Sequence, residues 1–303
     1  MQHLNHLSKS QQESVLALIK AAHDFDGTPP IAEHVLLHLR HGGDKSDSHI
    51  VFEEDNQVIA YAHLDATDLI AGPSVEAVVH PNHRSKGLGA LILKEAIKVC
   101  GEKTRIWSHG DLPAAKAIAA SLKLERLWSN LLMSKSLGDI QPVASKYPIR
   151  TFIPDFDNQA FLSLNNKVFA NYPDQGGWSE DDLKVRLNEA WFEKEGFFGA
   201  EDRGELMGFC WTKIHGAHTH SHNGEADHGH DALGEIYVLA VNPDYKGQRV
   251  GRDLTITGLN YLKYQGLNNV MLYVGVKNKP AFNLYKSLGF NEFGSDVMYR
   301  VKS

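Results

Sequence analysis

Cysteine is nearly missing: Cys100 and Cys210 are the only two in 303 residues. Lying far apart, they give no disulfide framework and fit a reducing compartment, and neither is assigned a catalytic role. Long apolar runs are missing too. Nothing approaches the roughly 20 residues that span a bilayer, and no apolar segment follows a basic start, so a cytoplasmic chain with no membrane partner is expected. A concentrated basic face is also lacking, and a formal charge of -6 argues against broad nucleic-acid binding. Low-complexity tracts are absent. The 42% apolar content therefore points to a folded chain long enough for two domains, expected to be a monomer acting on a small molecule.

The order of elements repeats. Ser10 to Ala22 and Ile31 to Leu39 read as helices, on either side of the Gly- and Pro-containing loop Asp24 to Pro30. Ile50 to Glu53 and Val58 to Leu64 read as a hairpin, Val75 to Val79 as a strand, and HPNHRSKGLG opens a helix with Leu88, Leu91, Ile92, Ala96 and Val99 on one face. A strand from Arg105 and a helix from Ala114 come next. The second half runs the same way: helices Phe161 to Phe169 and Leu183 to Trp191, a hairpin around Asp202, the apolar strand Ile236 to Val241, a glycine turn, a helix, Val270 to Val276, and the helix Ala281 to Leu288.

Setting Val79-His80-Pro81 against Val241-Asn242-Pro243 gives an offset of 162, whereas the hairpins match at 148, Tyr61 on Phe209. A tandem duplication is the simple account, with about 14 further residues in the second copy. They are assigned to the histidine-rich tract His215 to Asp231. It is read as a solvated loop insertion, and no functional metal is expected. The linker falls near Gly138 to Lys146, which divides the chain into 1–140 and 147–303.

Each copy carries a turn between a strand and an amphipathic helix. Such a turn gathers backbone N–H groups at a helix N-terminus, where the dipole favours anions, and glycine lets the backbone approach a phosphate closely. Arg84-Ser85-Lys86-Gly87-Leu88-Gly89 fits R-x-x-G-x-G in full. In Lys246-Gly247-Gln248-Arg249-Val250-Gly251 an arginine replaces the middle glycine. Either that turn tolerates a side chain and gains a cation, or its hold on a phosphate is weaker.

The order of elements, the V-x-P before each turn and the run Asn278-Lys279-Pro280-Ala281-Phe282-Asn283-Leu284-Tyr285-Lys286-Ser287-Leu288-Gly289-Phe290 resemble the GNAT superfamily of acetyl-CoA-dependent acetyltransferases, present twice. More narrowly, GEIYVLAVNP, VMLYVGVKN, DQGGW at 174–178 and DGTPP at 26–30 resemble the mycothiol synthase family, which acetylates the cysteinyl amine of a cysteinyl-glucosaminyl-inositol. The resemblance covers nearly the whole chain except the histidine tract. It implies an α/β (α+β) fold of two tandem GNAT-type domains, each a mixed twisted sheet flanked by helices. It also implies acetyl-CoA along Leu239, Ala240 and Val241, over the turn from Lys246 through Gly247, Gln248, Arg249, Val250 and Gly251 to Arg252, and beside Asn278, Ala281, Phe282 and Asn283. Ala77, Val78, Val79, Arg84, Ser85, Lys86, Gly87, Leu88 and Gly89 would form a second site for acetyl-CoA or coenzyme A in the first copy.

Acetyl transfer to an amine needs a base for the ammonium, a donor for the oxyanion and an acid for the leaving thiolate. Glu235 is the candidate base, the Leu239 backbone N–H the oxyanion donor and Tyr285 the acid. At the 162 offset Glu235 falls on Pro73, and Tyr285 on Ile118 or Ala119, so the second copy is expected to be the catalytic one. Asp26, Asp174, Lys213, Glu235 and Tyr273 match the family's substrate-contacting positions, with Glu180 able to replace Asp174. A glutamate at a strand head is otherwise more often an edge residue, and a helical tyrosine more often core. Two alternatives stand beside this reading: an acetyltransferase for another amine, such as an aminoglycoside or a protein N-terminus, and a non-catalytic coenzyme A sensor.

Overall fold

A computed structural model describes the chain apart from residues 43–46, 68–71, 139, 143, 173–175, 217, 221–227, 231 and 303, with the backbone alone at 218–220 and 228–230. In chain order the elements are β1 (Gln2–Leu4), α1 (Lys9–Asp26), α2 (Glu33–His41), β2 (Asp47–Glu54), β3 (Gln57–Asp65), β4 (Ser74–Val79), α3 (Leu88–Cys100), β5 (Arg105–Ser108), α4 (Pro113–Ser121) and β6 (Leu124–Ser136). The second half continues with β7 (Ile149–Thr151), α5 (Asn158–Val168), α6 (Glu180–Leu187), β8 (Phe197–Asp202), β9 (Glu205–His215), β10 (His218–His220), β11 (His228–His230), β12 (Leu233–Val241), α7 (Val250–Tyr264), β13 (Asn269–Gly275), α8 (Lys279–Ser287) and β14 (Asn291–Val301).

Two compact units result. The first is Met1–Leu131 with Gly275–Lys277 and Gly294–Ser303; the second is Leu132–Val274 with Asn278–Phe293. This differs from a division at the linker, because the tail of the chain completes the first unit. Val297, Met298, Tyr299 and Arg300 of β14 pair antiparallel with Ser108, Trp107, Ile106 and Arg105 of β5. Asp296 accepts from the Gly110 N–H (2.7 Å), and the Tyr299 hydroxyl donates to Asp111 (2.7 Å).

In the first unit the sheet runs β1-β2-β3-β4-β5-β14, with only β4 and β5 parallel. One face packs Tyr61 and Val78 against Val15, Leu18, Ile19, Val35 and Leu39 of α1 and α2. The other packs Ala62, Leu64 and Val75 against Ile92 and Ala96 of α3 and Ala119 of α4. Burial of β3 on both faces explains its nearly continuous apolar sequence. In the second unit α5 and α6 cover one face through a stack of Phe161, Phe197, Phe209 and Trp211. On the opposite face, α7 buries Leu254, Leu259 and Leu262. A Cβ at Gly258 would stand 2.9 Å from Cys210 Sγ, so this glycine sets how closely α7 approaches β9.

The histidine tract is shorter than the sequence implied. β9 runs on through His215, which pairs with Leu233, so the chain leaves the sheet only beyond that residue. Within the tract, β10 and β11 form an antiparallel backbone hairpin.

Candidate active site

The strand β12 is irregular at one residue. Ile236 pairs with Thr212 and Val238 with Trp211, so Tyr237 is an extra residue, a β-bulge. The parallel ladder between β12 and β13 runs over Gly234–Ile236 against Val270–Leu272, whereas β12 continues to Val241 and β13 to Gly275. The Asn242 N–H donates to the Met207 carbonyl (2.8 Å). By antiparallel alternation Ala240 and Val238 also face β9, which turns the Leu239 N–H the other way, toward β13 beyond its pairing with β12.

Glu235 sits at the head of this strand and is buried at 6% exposure. Lys213 is its cross-strand partner, and His215 its diagonal neighbour on the same face. His215 Nε2 lies 2.7 Å from Glu235 Oε2. With the carboxylate as acceptor, the imidazole N–H donates and fixes which oxygen remains for another partner. Sequence reasoning missed His215, having assigned it to the insertion; its spacing of two from Lys213 was the available signal. Lys213 Nζ stands over the rings of Trp191 (4.2 Å) and Tyr237 (5.3 Å), so the bulge supplies part of an aromatic shelf for this cation.

The two turns reach one backbone shape by different residues. Ser85 and Gly87 have φ of 61° and 80°, and their counterparts Gly247 and Arg249 have 81° and 66°. Both positions are left-handed in both copies, and each copy has one glycine for the two. Arg249 caps α7 as Gly87 caps α3, so the second turn tolerates its side chain at a cost of about 1–2 kcal/mol.

Tyr285 on α8 is buried at 5% exposure, with its ring 5.7 Å from that of Phe290. Burial, with Cys210 and Tyr172 nearby, pushes its phenol well up, so the hydroxyl keeps its proton at any working pH. Burial likewise pushes the Cys210 thiol up to about 12, which leaves it inert as a nucleophile. Asn278 caps α8 by accepting from the Ala281 N–H (3.2 Å) and donates to the Tyr172 hydroxyl (3.0 Å). Tyr273 is exposed on β13. Asp174 lies outside the described residues. Glu180, its alternative, opens α6, beside Trp178, which Asn166 brackets through both its N–H and its carbonyl (3.0 and 2.8 Å).

In the first unit the residues expected at its turn, Lys86 excepted, converge on a cavity of about 520 Å³. Ala77, Val78, Val79, Arg84, Ser85, Gly87, Leu88 and Gly89 line it, with Asp26, Trp107, His109 and Ile118. Asp26 accepts two hydrogen bonds from the Arg84 guanidinium (2.7 Å each), whose Nε donates to the Val79 carbonyl (3.2 Å). The pair is bidentate and holds the arginine of the turn in place. Deeper in, His109 lies between Asp296 (3.0 Å) and Glu76 (3.2 Å). Burial works against its charge, but the two carboxylates outweigh that and hold its pKa well above normal. Glu76 in turn is drawn down to about 2: burial would raise it, and the His109 charge and hydrogen bond dominate. An imidazolium with both nitrogens engaged has no lone pair left to act as a base.

Structural pairing corrects the comparison of the two copies. Ser74 pairs with Asp65 and Arg105, as Glu235 pairs with Lys213 and Met271. The bulge adds one residue to the second copy, so the counterpart of Glu235 is Ser74 rather than Pro73. The open choice for Tyr285 also closes. A Cβ on Gly89 would meet Ile118, and one on Gly251 would meet Leu284, which aligns Tyr285 with Ala119.

The acetyltransferase (GNAT) family profile matches residues 15–124 and 161–290, once in each half. The chain belongs to the GNAT acetyltransferases. It is 44% identical over 292 residues to the mycothiol acetyltransferase of Acidothermus cellulolyticus, covering 94% of this chain and 89% of that protein. It is 41% identical to that of Thermobispora bispora, over 95% of each chain. Among solved structures, a tandem GNAT protein from the clavulanic acid biosynthesis pathway matches with a TM-score of 0.68 at 16% identity, over 100% of this chain and 99% of that one. A GCN5-related N-acetyltransferase from Sphaerobacter thermophilus gives 0.64 at 19% identity, over 97% and 93%.

This GNAT protein is accordingly an acetyl-CoA-dependent acyltransferase built from two copies of the fold. Glu235, Leu239 and the Lys246–Gly251 turn lie along one strand and its exit. In the first copy the corresponding turn closes the 520 Å³ cavity, with Asp26 tied to Arg84 inside it.

Proposed function

We propose that the second domain transfers acetyl from acetyl-CoA to the cysteinyl amine of a cysteinyl-glucosaminyl-inositol, the last step of mycothiol biosynthesis, within a ternary complex and without an acyl-enzyme. The observation that carries this reading is Glu235. It is a buried carboxylate at the head of the bulged strand that also carries the Leu239 N–H, in a chain 44% identical to a mycothiol acetyltransferase.

In this reading Glu235, directly or through one water, takes a proton from the substrate ammonium, and the freed lone pair attacks the thioester carbonyl carbon. As the C–N bond forms, the carbonyl oxygen becomes an oxyanion that accepts from the Leu239 N–H. Collapse breaks the C–S bond and Tyr285 gives its proton to the thiolate. The nitrogen, which still carries one proton more than an amide, releases it through water, which reprotonates Tyr285, while Glu235 returns its proton to solvent. Pyrophosphate rests on the turn Lys246–Gly251 with Arg252 beside it, and the pantetheine side of the cofactor meets Leu239–Val241, Asn278 and Ala281–Asn283. Lys213, Tyr273 and Asp174 or Glu180 contact the polyhydroxylated acceptor. For Asp26 the bidentate pair with Arg84 supports a role in shaping the first cradle.

The first domain has Ser74 and Ala119 where the second has Glu235 and Tyr285, and we read it as a non-catalytic coenzyme A site. Its lined cavity and intact R-x-x-G-x-G turn support this. No helix among the described residues is long and apolar enough to cross a membrane, and we propose a cytoplasmic monomer.

Two measurements test the reading. Purified protein incubated with acetyl-CoA and a panel of amines should acetylate cysteinyl-glucosaminyl-inositol fastest, followed as a mass gain; preference for an aminoglycoside or a peptide N-terminus would overturn the acceptor. Equilibrium dialysis should give two coenzyme A per chain. A value of one would leave the first cavity without that ligand.

A further inference from the structure

Four histidines and a carboxylate converge in the first unit, away from its turn. His34 and His38 stand one turn apart on α2 and so share a face, with ring centroids 6.0 Å apart. On β2, Asp47 and His49 share a face, and His49 pairs across the hairpin with His63 of β3. The helix lays His38 over that hairpin. Its ring centroid is 5.9 Å from that of His63, which in turn is 5.7 Å from His49. Asp47 Oδ2 lies 2.8 Å from His38 Nδ1 and 3.4 Å from His63 Nε2, and one donor atom from each of the three residues falls within 4.8 Å of the others.

We propose that His38, Asp47 and His63 form a site for a divalent transition metal of the zinc class, pinning α2 to the β2–β3 hairpin. Tetrahedral zinc with bonds of 2.0–2.2 Å spaces its ligands by about 3.3 Å, between the two distances that Asp47 makes, and the donor atoms of all three residues already lie within 4.8 Å of one another. Two imidazoles and one carboxylate suit zinc and leave a fourth position for water. His63 and Asp47 are buried, whereas the His38 side chain is 21% exposed, which gives an ion a way in.

Charge favours the same conclusion. A bound dication would compensate the carboxylate of the buried Asp47. The His49 ring is itself held, with Nδ1 2.8 Å from the Tyr61 hydroxyl, and it stands beside His63 as an outer support.

His34 and His38 are four apart in the chain and Asp47 and His49 two apart, and the fold adds His63 from β3. The histidine tract beyond β9 is a competing binder. The test therefore uses the full chain carrying H218N, H220N, H222N, H228N and H230N, stripped with a chelator and titrated with Zn2+ against a chromophoric competitor. One equivalent should bind and raise the unfolding temperature, and Co2+ should show the intense visible bands of four-coordination. H38Q and H63Q should each weaken Zn2+ by about 100-fold or more and abolish the bands, while H34Q stays within a few-fold of the parent. H63Q replaces a fully buried side chain; should it not fold, the partly exposed H38Q decides. No saturable Zn2+ in the tract-substituted chain, unchanged affinity in H38Q, or an equal loss in H34Q would each overturn the site.

Discussion

The two domains share a turn and differ at a strand. In the first, β3 and β4 pair residue for residue from Ala60–Val79 to Asp65–Ser74 without interruption. In the second, Tyr237 is inserted between two such pairs. That one residue decides several things together. It shifts the strand head so that Glu235 stands where the first domain has Ser74, and it brings the Tyr237 ring to Lys213. At the equivalent of Val238, next along the strand, the first domain buries Glu76 and neutralises it with His109. Both domains keep a strand-to-helix turn with two left-handed residues, the shape proposed above to hold a pyrophosphate. Only the second has a glutamate at the head of that strand and a tyrosine on the helix after β13, so under the proposed function binding and turnover reside in separable parts of this fold.

The largest effect is expected at the carboxylate. Glu235→Gln should lower kcat by about 10²–10⁴-fold, while acetyl-CoA binding by calorimetry stays within twofold of the parent. Near-normal turnover would erase the distinction between the domains at this strand. Tyr285→Phe comes next, with kcat down by about 10–100-fold, a smaller loss because water can protonate a thiolate. Removing this hydroxyl makes the second domain resemble the first at Ala119, so an unchanged rate would assign Tyr285 to packing alone. The smallest effect tests the turns. Arg249→Gly should stabilise the protein by about 1 kcal/mol in thermal unfolding, because glycine adopts φ of 66° without strain. A weaker acetyl-CoA affinity in the same variant would show that the guanidinium contributes to the cradle; an unchanged affinity would make the two turns equivalent.

Most of the architecture was legible because strand and helix periods are written in the buried faces. The repeat, both hairpins, the turns and the helices from α1 to α8 follow from apolar spacing. β6 and β14 were not legible. Leu124–Ser136 interleaves Arg126, Ser129 and Asn130 with its apolar residues, and Asn291–Val301 opens on three exposed residues, so neither shows a clean alternation. The bulge was invisible for a related reason: a continuous apolar run from Ile236 to Val241 looks the same with or without an extra residue. Hence the one-residue error that set Pro73 against Glu235. At the site, Glu235 and Tyr285 could be named from their motifs. His215 was missed although it stands two residues from Lys213, because a histidine-rich tract hides where the strand stops pairing. The His38–Asp47–His63 trio escaped for another reason, since its members come from three elements and meet only on packing.

The closing of the first domain by residues 294–303 has a consequence for how the protein is made. Synthesis delivers β5, His109 and Asp111 early, but their partners on β14, with Asp296 and Tyr299, follow only after the second domain has been made. The domain written first is therefore the one that cannot finish its sheet until β14 emerges, and the nascent chain carries one open edge of β5 through the making of the second domain. A truncation that removes β14 would thus be felt at the amino-terminal half of the protein.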